Sequence, residues 1–516
     1  HFLITLGFDK LTGRIWAGPN AGKAALLAAA LWGLNPVALF YAVDALDTVP
    51  SLALAVWALV WWTRPGGKTR DTVGGGVLLG LAVAARPHFL PLVFVAPLVR
   101  AWLGGKWKPQ SRDALTWAGA VAVLLALGIV QLYRCGQFAI LPTQGAYNFY
   151  AANRPGANGK YYAQKMFFTE IAPGENPARL ESEALFSQAT GKTAQFSMAD
   201  INAFWRQQAE ASISANPVGW LKLEVKKAYY LLNDFEQYNN ETYAWHKAAS
   251  PWLSWNFLGW GVLLVLAASV LPAAWMQNQS AESTNLPAQL AGILLVAVVY
   301  GAGVLLYYAS GRFRLPLLPL LCVLAGGWAN WPGIFVSSPK VKFVSSLATV
   351  LAALVAFSNF FHAHDESTFI QDDLLSANAA STVGDDTQAY ALAERALSLD
   401  PTRADARRIA VVSFFNLTLS GDPQYDSLAG WRAESKRMQG MNLSDATLAL
   451  VGGATLWKTG SPARAEALWQ AGAAKFGLDS APAKALAAAQ SLRGEAAPSA
   501  PPPDSSMLEY LKTPPH

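Results

Sequence analysis

Runs of apolar residues long enough to cross a bilayer recur through the first 361 positions, and short polar breaks separate them. About 17–25 apolar residues cross a membrane as a helix. The pattern predicts spans at 23–40, 48–63, 73–85, 89–103, 114–133, 252–271, 288–307, 315–332 and 343–361. Residues 1–8 read as the tail of a further span, and 73–103 is open to reading as one kinked unit. Residues 134–250 are too polar to span. Helices are predicted there at 199–215 and 217–233, parted by Asn216-Pro217. After 361 the chain becomes Ala-rich and helical in pattern, and its tail from Gly494, with Pro501-Pro502-Pro503, reads as disordered.

The predicted fold is therefore all-α: a polytopic transmembrane helical bundle, a large outer loop and a C-terminal helical repeat domain. Its parts are 1–133 (membrane), 134–250 (outer loop, partly helical), 251–361 (membrane), 362–493 (repeats) and 494–516 (tail).

Composition supports the membrane reading. Apolar residues make up 53% of the chain and charged ones 14%, against roughly 25% charged in soluble proteins. Residues 1–361 carry 26 Lys+Arg and 16 Asp+Glu, a net +10, whereas 362–516 carry 13 and 18, a net −5. The basic excess thus belongs to the membrane loops, and no nucleic-acid partner is expected. Cys322 falls inside a predicted span, so a disulfide with Cys135 is not expected, and no metal-type cysteine spacing occurs. No signal-peptide pattern opens the chain, and a segment upstream of His1 is expected.

Lys and Arg concentrate in cytoplasmic loops. Lys10, Arg14 and Lys23 fall in one loop, Arg64, Lys68 and Arg70 in a second, Arg100, Lys106, Lys108 and Arg112 in a third, and Lys340 and Lys342 in a fourth. Alternation puts all four on one side. Residues 41–47, 86–88, 134–250, 308–314 and the C-terminal domain are then outside, in the periplasm of a bacterial inner membrane.

In the C-terminal region Gly384, Ala389, Ala396 and Pro401 fall at offsets 0, 5, 12 and 17. Gly460 and Ala465 repeat the first two offsets, Gly472 keeps a small residue at the third, and Trp469 takes the bulky position between. That spacing matches the second half of a tetratricopeptide repeat, where small residues let two helices approach. Residues 403–445 are expected to supply further helices.

The informative charges sit on the wrong side. Arg86 and His88 occupy Ala85-Arg86-Pro87-His88, and Arg312 and Arg314 occupy Gly311-Arg312-Phe313-Arg314-Leu315-Pro316. Asp44 and Asp47 flank the turn before the span at 48. Ionisable groups at membrane depth are costly and usually functional. The planar arginine fork suits phosphate, and carboxylates beside it could hold a metal, orient a hydroxyl or act as base. The simpler roles are membrane anchoring for the arginines and helix capping for Asp47. His362-Ala363-His364-Asp365-Glu366 reads as the polar exit of a membrane helix rather than a metal site.

These residues resemble the GT-C superfamily of membrane glycosyltransferases, above all the protein O-mannosyltransferase and aminoarabinose transferase family (glycosyltransferase family 39). Four stretches carry the resemblance: Leu11-Thr12-Gly13-Arg14 through Asn35-Pro36 to Asp44 and Asp47; Gly80-Leu81-Ala82 into Arg86-Pro87; Gln144 to Tyr150 with Asn153 to Gly159; and Gly311 to Pro316. The resemblance implies sugar transfer, typically inverting, from a polyprenyl phosphate to an acceptor hydroxyl outside the cytoplasm. It implies donor-phosphate binding by Arg86, Arg312, Arg314 and His88, and acceptor contacts in the outer loop by Tyr147, Asn148, Tyr150 and Asn153. The family's acidic base lies in an earlier loop, expected upstream of His1, so Asp44 and Asp47 are secondary acidic candidates for donor or metal binding. No cofactor is assigned, and a divalent metal stays open. The expected partners are the lipid-linked donor, membrane lipids and a protein partner or acceptor at the repeats, with the acceptor hydroxyl open among protein, lipid and glycan. The main alternative is a catalytically silent membrane scaffold that recruits partners through those repeats; a secondary transporter fits less well, because the spans show no internal repeat.

Overall fold

The computed structural model describes every residue except 45, 137, 141–143, 162–175, 193–196, 240, 279–284, 331–337, 422–423, 440, 442–444, 495–504 and 514–516. The described residues are helical and hold no strand, only an isolated bridge between Lys160 and Ala309. They form two compact units, His1–His364 and Asp365–His516.

The first unit begins with α1 (Phe2–Ile15), α2 (Ala21–Gly33), α3 (Pro36–Ala42), α4 (Thr48–Trp62), α5 (Thr69–Ala85), α6 (Leu90–Leu103) and α7 (Leu115–Cys135). Then come α8 (Gly145–Asn153), α9 (Pro177–Thr190), α10 (Met198–Ala215), α11 (Pro217–Leu232), α12 (Tyr243–Ala249) and α13 (Pro251–Trp255). It closes with α14 (Trp260–Asn278), α15 (Leu286–Leu305), α16 (Gly311–Arg314), α17 (Leu318–Ala325) and α18 (Pro339–Phe357).

Five segments are long and apolar enough to cross a membrane: Ser111–Arg134, Pro251–Met276, Leu286–Leu305, Gly311–Ala329 and Pro339–Phe357. The chain is on that ground a membrane protein. Two expectations need correcting, those for 23–40 and for Lys10 and Arg14, while the break expected between 73–85 and 89–103 is found. The span expected at 23–40 is broken: α2 and α3 meet at a 61° bend, because Pro36 cannot continue a helix and the Asn35 side chain caps a new one at the Ala38 N–H. The stretch 73–103 is likewise interrupted at Arg86, which is extended (φ −147°) ahead of Pro87. Lys10 and Arg14 lie in a helix rather than a loop, and Arg14 reaches the Val60 carbonyl at 2.7 Å.

Glycines set the closest helix contact. A Cβ on Gly76 would collide with the Thr116 carbonyl, one on Gly80 would come within 2.9 Å of the Ala120 carbonyl, and one on Gly119 would strike Val73. Small residues of this kind let membrane helices meet backbone to backbone, here α5 and α7.

The turns α4–α5 and α6–α7 share one end of this unit, the one rich in lysine and arginine. Arg100 pairs there with Asp113, and both side chains are buried. Arg100 also donates to Thr72 at 2.9 Å. Arg64 pairs with Asp71 at 2.7 Å. Each aspartate accepts a backbone N–H as well, Asp71 from Lys68 and Asp113 from Gln110.

The second unit holds α19 (Phe369–Thr382), α20 (Asp386–Leu399), α21 (Ala404–Leu419), α22 (Leu428–Met438), α23 (Ala446–Lys458), α24 (Pro462–Phe476), α25 (Ala481–Leu492) and α26 (Ser505–Lys512). The α19–α20 and α23–α24 turns each place a glycine in the left-handed region, Gly384 at φ +80° and Gly460 at φ +82°. Ala389, Ala396, Ala465 and Trp469 are fully buried, as the small-and-bulky spacing requires. The expected disorder of the tail is corrected over 505–512. There Met507, Tyr510 and Leu511 form one apolar face that enters the core of the unit beside Phe415 and Trp431. Lys458 lies 4.2 Å from the Tyr510 ring and donates to the Thr513 carbonyl.

Candidate functional site

The end of the first unit opposite the paired aspartates gathers residues from four distant parts of the chain. The turn between α3 and α4 brings Asp44 and Asp47, the break after α5 brings Arg86 and His88, and α16 brings Arg312 and Arg314. Ser310 caps that short helix by accepting from the Phe313 N–H, which fixes where both arginines leave the backbone. The fourth part, residues 231–239, is the end of α11 and the segment after it.

Arg312 donates to Asp47 Oδ1 at 2.5 Å, to Thr48 Oγ1 at 3.1 Å and to Asn239 Oδ1 at 3.4 Å. Arg86 lies 3.5 Å from the same Asp47 oxygen and donates to the Arg312 carbonyl at 3.1 Å. Its guanidinium also rests 5.3 Å from the Phe313 ring. Two guanidiniums thus share one carboxylate oxygen. Arg86 is 2% exposed, so it is no headgroup anchor. Asp47 stands at the N-cap of α4 but makes no side-chain cap bond; its carboxylate, 41% exposed, is turned to the arginines instead. The Asp44 carboxylate makes no hydrogen bond or ion pair among the described residues.

Arg314 is placed differently. It is buried, pairs with Glu236, donates to the Asn233 carbonyl and lies 4.6 Å from the Trp260 ring. Its guanidinium clamps the segment after α11 and does not join Arg86 and Arg312.

His88 lies 4.6 Å from the Phe313 ring and 5.7 Å from that of Tyr307. Both its ring nitrogens are buried without a hydrogen-bond partner among the described residues, as are Asn239 Nδ2 and Glu236 Oε2. Buried polar atoms usually have partners; of these three residues, Asn239 bonds Arg312 and His88 lies against Phe313, next to Arg312 in the chain, while Glu236 belongs to the Arg314 pair.

The outer-loop candidates separate into two groups. Asn153 ties elements together: it accepts from Trp220 at 3.0 Å and Lys227 at 2.9 Å and donates to the Leu306 carbonyl at 3.0 Å. Burial pushes the Lys227 ammonium down and the Glu224 carboxyl up, and their 2.7 Å contact opposes both shifts. Tyr147 and Tyr150 instead face Trp205 and line an open cleft of about 500 Å³ with Arg154, Gln188 and Gln208. Asn148 is half-buried on α8.

Among the described residues no three His, Cys, Asp or Glu side chains gather as metal ligands would, and Asp44 and Asp47 find no third donor. Cys322 is a buried free thiol.

Sequence reasoning missed Thr48, Asn233, Glu236 and Trp260. The polar run Asn233-Asp234-Phe235-Glu236-Gln237 just before a span was the one available signal. No family model matches the chain, and neither a curated protein nor a solved structure does.

Proposed function

We propose that this chain is a membrane glycosyltransferase of the GT-C type, moving a sugar from a polyprenyl-phosphate donor to an acceptor hydroxyl on the periplasmic face of a bacterial inner membrane. The observation that carries this reading is the pair Arg86 and Arg312, held on one shared oxygen of Asp47. A phosphate offers two oxygens where Asp47 offers one, and both forks could engage it. Negative charge grows on a leaving phosphate in the transition state, and donors fixed in advance stabilise it there most. Asp47 would swing toward solvent as the phosphate arrives. His88 and the Asn239 amide would complete the polar wall, and Arg314 would act through the segment it clamps. The second unit would present a protein acceptor on tetratricopeptide-type repeats, since stacked helical hairpins make concave binding surfaces.

The test is transfer from a radiolabelled polyprenyl-phosphate sugar by protein reconstituted in vesicles. Arg312→Ala and Arg86→Ala should each lose transfer while still inserting. Normal turnover in both would remove the phosphate role. The second reading, a silent scaffold, draws on the same ion pair, because an internal carboxylate between two arginines also serves as a lock. Stoichiometric co-purification with other subunits, without retention of lipid phosphate, would favour it.

A further inference from the structure

Helix α11 belongs to the region that sequence alone assigns to an aqueous loop. Its inward face is polar and satisfied: Lys227 bonds Asn153, Glu224 and the Leu305 carbonyl. Its outward face is apolar. Val218, Leu221 and Val225 are 64%, 59% and 56% exposed. With Leu232 they fall on one side of a helix with 3.6 residues per turn, and Lys222 flanks them. A water-facing helix would carry the reverse pattern.

The neighbours fix the level at which this stripe lies. Near its middle, α11 bonds the last turn of α15, through Lys227 directly and through Trp220 by way of Asn153, which donates to the Leu306 carbonyl. At its C-terminal end it bonds the last turn of α18: the Tyr229 hydroxyl donates to the Ser358 carbonyl at 2.6 Å, and Asn233 to the Val355 carbonyl at 3.2 Å. A helix joined along its length to the ends of two spans runs across those ends. Exposed aromatics cluster there as well. Phe357, Phe360 and Phe361 leave α18, and Trp255 and Phe257 lead into α14. Rings of this sort mark the membrane–water interface.

We propose that α11 lies in the membrane interface, with Val218, Leu221, Val225 and Leu232 sunk into the acyl boundary of the outer leaflet. Lys222 keeps its charge at the headgroups while its stem covers apolar surface. Amphipathic helices bind this way through their buried apolar face. A stripe of four side chains is too small for a stable protein partner, which buries about 800 Å² on each side. The inference needs only a membrane-embedded chain and does not depend on sugar transfer. Its consequence for the site is direct, because α11 runs into Asn233, Glu236 and Asn239, the residues that hold Arg314 and Arg312.

The test places single cysteines at 218, 221, 225 and, as a water-facing control, at 210 on α10, in a chain carrying Cys135→Ser and Cys322→Ala. Each is labelled with a nitroxide in vesicles of phosphatidylethanolamine and phosphatidylglycerol. The first three should collide with oxygen several-fold in preference to a water-soluble nickel chelate, relative to 210. Equal access to the chelate would put the stripe in water and overturn the proposal. Exclusion of both reagents would put a protein there, a second copy or another chain, and overturn it too. Photolabelling of the unaltered chain from diazirine-bearing acyl chains provides a readout free of substitutions. Label on 218–225 is expected, and its absence alongside labelled spans would count against the proposal.

Discussion

The two ends of the membrane body pair arginine with carboxylate in different ways. At the basic end two arginines each have an aspartate of their own: Arg64 has Asp71, and Arg100 has Asp113. Each of those aspartates also accepts a backbone N–H at the start of a helix. At the other end Arg86 and Arg312 divide one oxygen of one half-exposed aspartate. A saturated pair has nothing left to offer a ligand, and its worth is structural. An arginine pair with a single shared anion keeps positive charge and open donors. The second unit gives the reverse proportion, with Glu394 and Glu434 both held by Arg437. Stoichiometry, more than the mere presence of arginine, separates a scaffold from a candidate site.

The sharpest way to break that contrast is at the basic end. Arg100→Ala leaves Asp113 buried without its charge partner, and removing one member of a buried pair costs roughly 3–5 kcal/mol. A large loss of thermal stability in detergent is expected, with transfer per folded molecule close to that of the unaltered chain. Arg312→Ala should do the opposite. Losing one preorganised donor lowers turnover by about 100-fold, or ~2.7 kcal/mol, and the melting midpoint should hardly move. If both substitutions act mainly on stability, the distinction between the ends fails.

The third effect is in the carboxylate-rich cluster. Burial pushes Glu434 up to about 7, against the pull of Arg437. An unfolded glutamate titrates near ~4.3. The folded pKa is the higher one, so the stabilising contribution is complete below the unfolded pKa and is lost as pH rises through about 7. The protection of α22 amides against hydrogen exchange in the whole chain, corrected for the intrinsic pH dependence of exchange, should therefore fall between pH 5 and pH 8 by on the order of 2 kcal/mol. Glu434→Gln should flatten that dependence. The smallest effect expected is that of Asp47→Asn, which removes the internal anion. Inorganic phosphate should then bind a few-fold more tightly, within ~1 kcal/mol as for other exposed ion pairs, as read by protection of Arg312 from arginine-specific reagents. Weaker phosphate binding would mean that Asp47 orders the arginines rather than competing for them.

Much of the membrane body was legible because its signals are local. Apolar runs and Ala85-Arg86-Pro87 each act within one turn of chain; Asn35-Pro36 is as local a signal, yet the span expected at 23–40 ran straight through the break it makes. The arginines stood out because charge on a short outer loop is unusual, but their division into two roles did not. Arg312 and Arg314 are two residues apart, and only the fold turns one toward Asp47 and the other toward Glu236, 78 positions away in sequence. The docked α26 was hidden for a related reason: its eight residues after a proline run are amphipathic but too short to hold a helix alone, and the core of the same unit takes Met507, Tyr510 and Leu511.

The glycines that let α5 meet α7 also bear on how α5 is covered. Gly74, Gly75, Gly76 and Gly80 leave α5 with little side-chain hydrocarbon, and it does not rank among the segments apolar enough to cross a bilayer by themselves. Backbone so thinly covered is poorly suited to bare lipid. Trp61 and Trp62 of α4 cover Gly74 and Gly75, and α7 covers Gly76 and Gly80. Cover for α5 is therefore complete only when helices made before it and after it are both in place, so the packing of this one helix joins parts of the chain on either side of it.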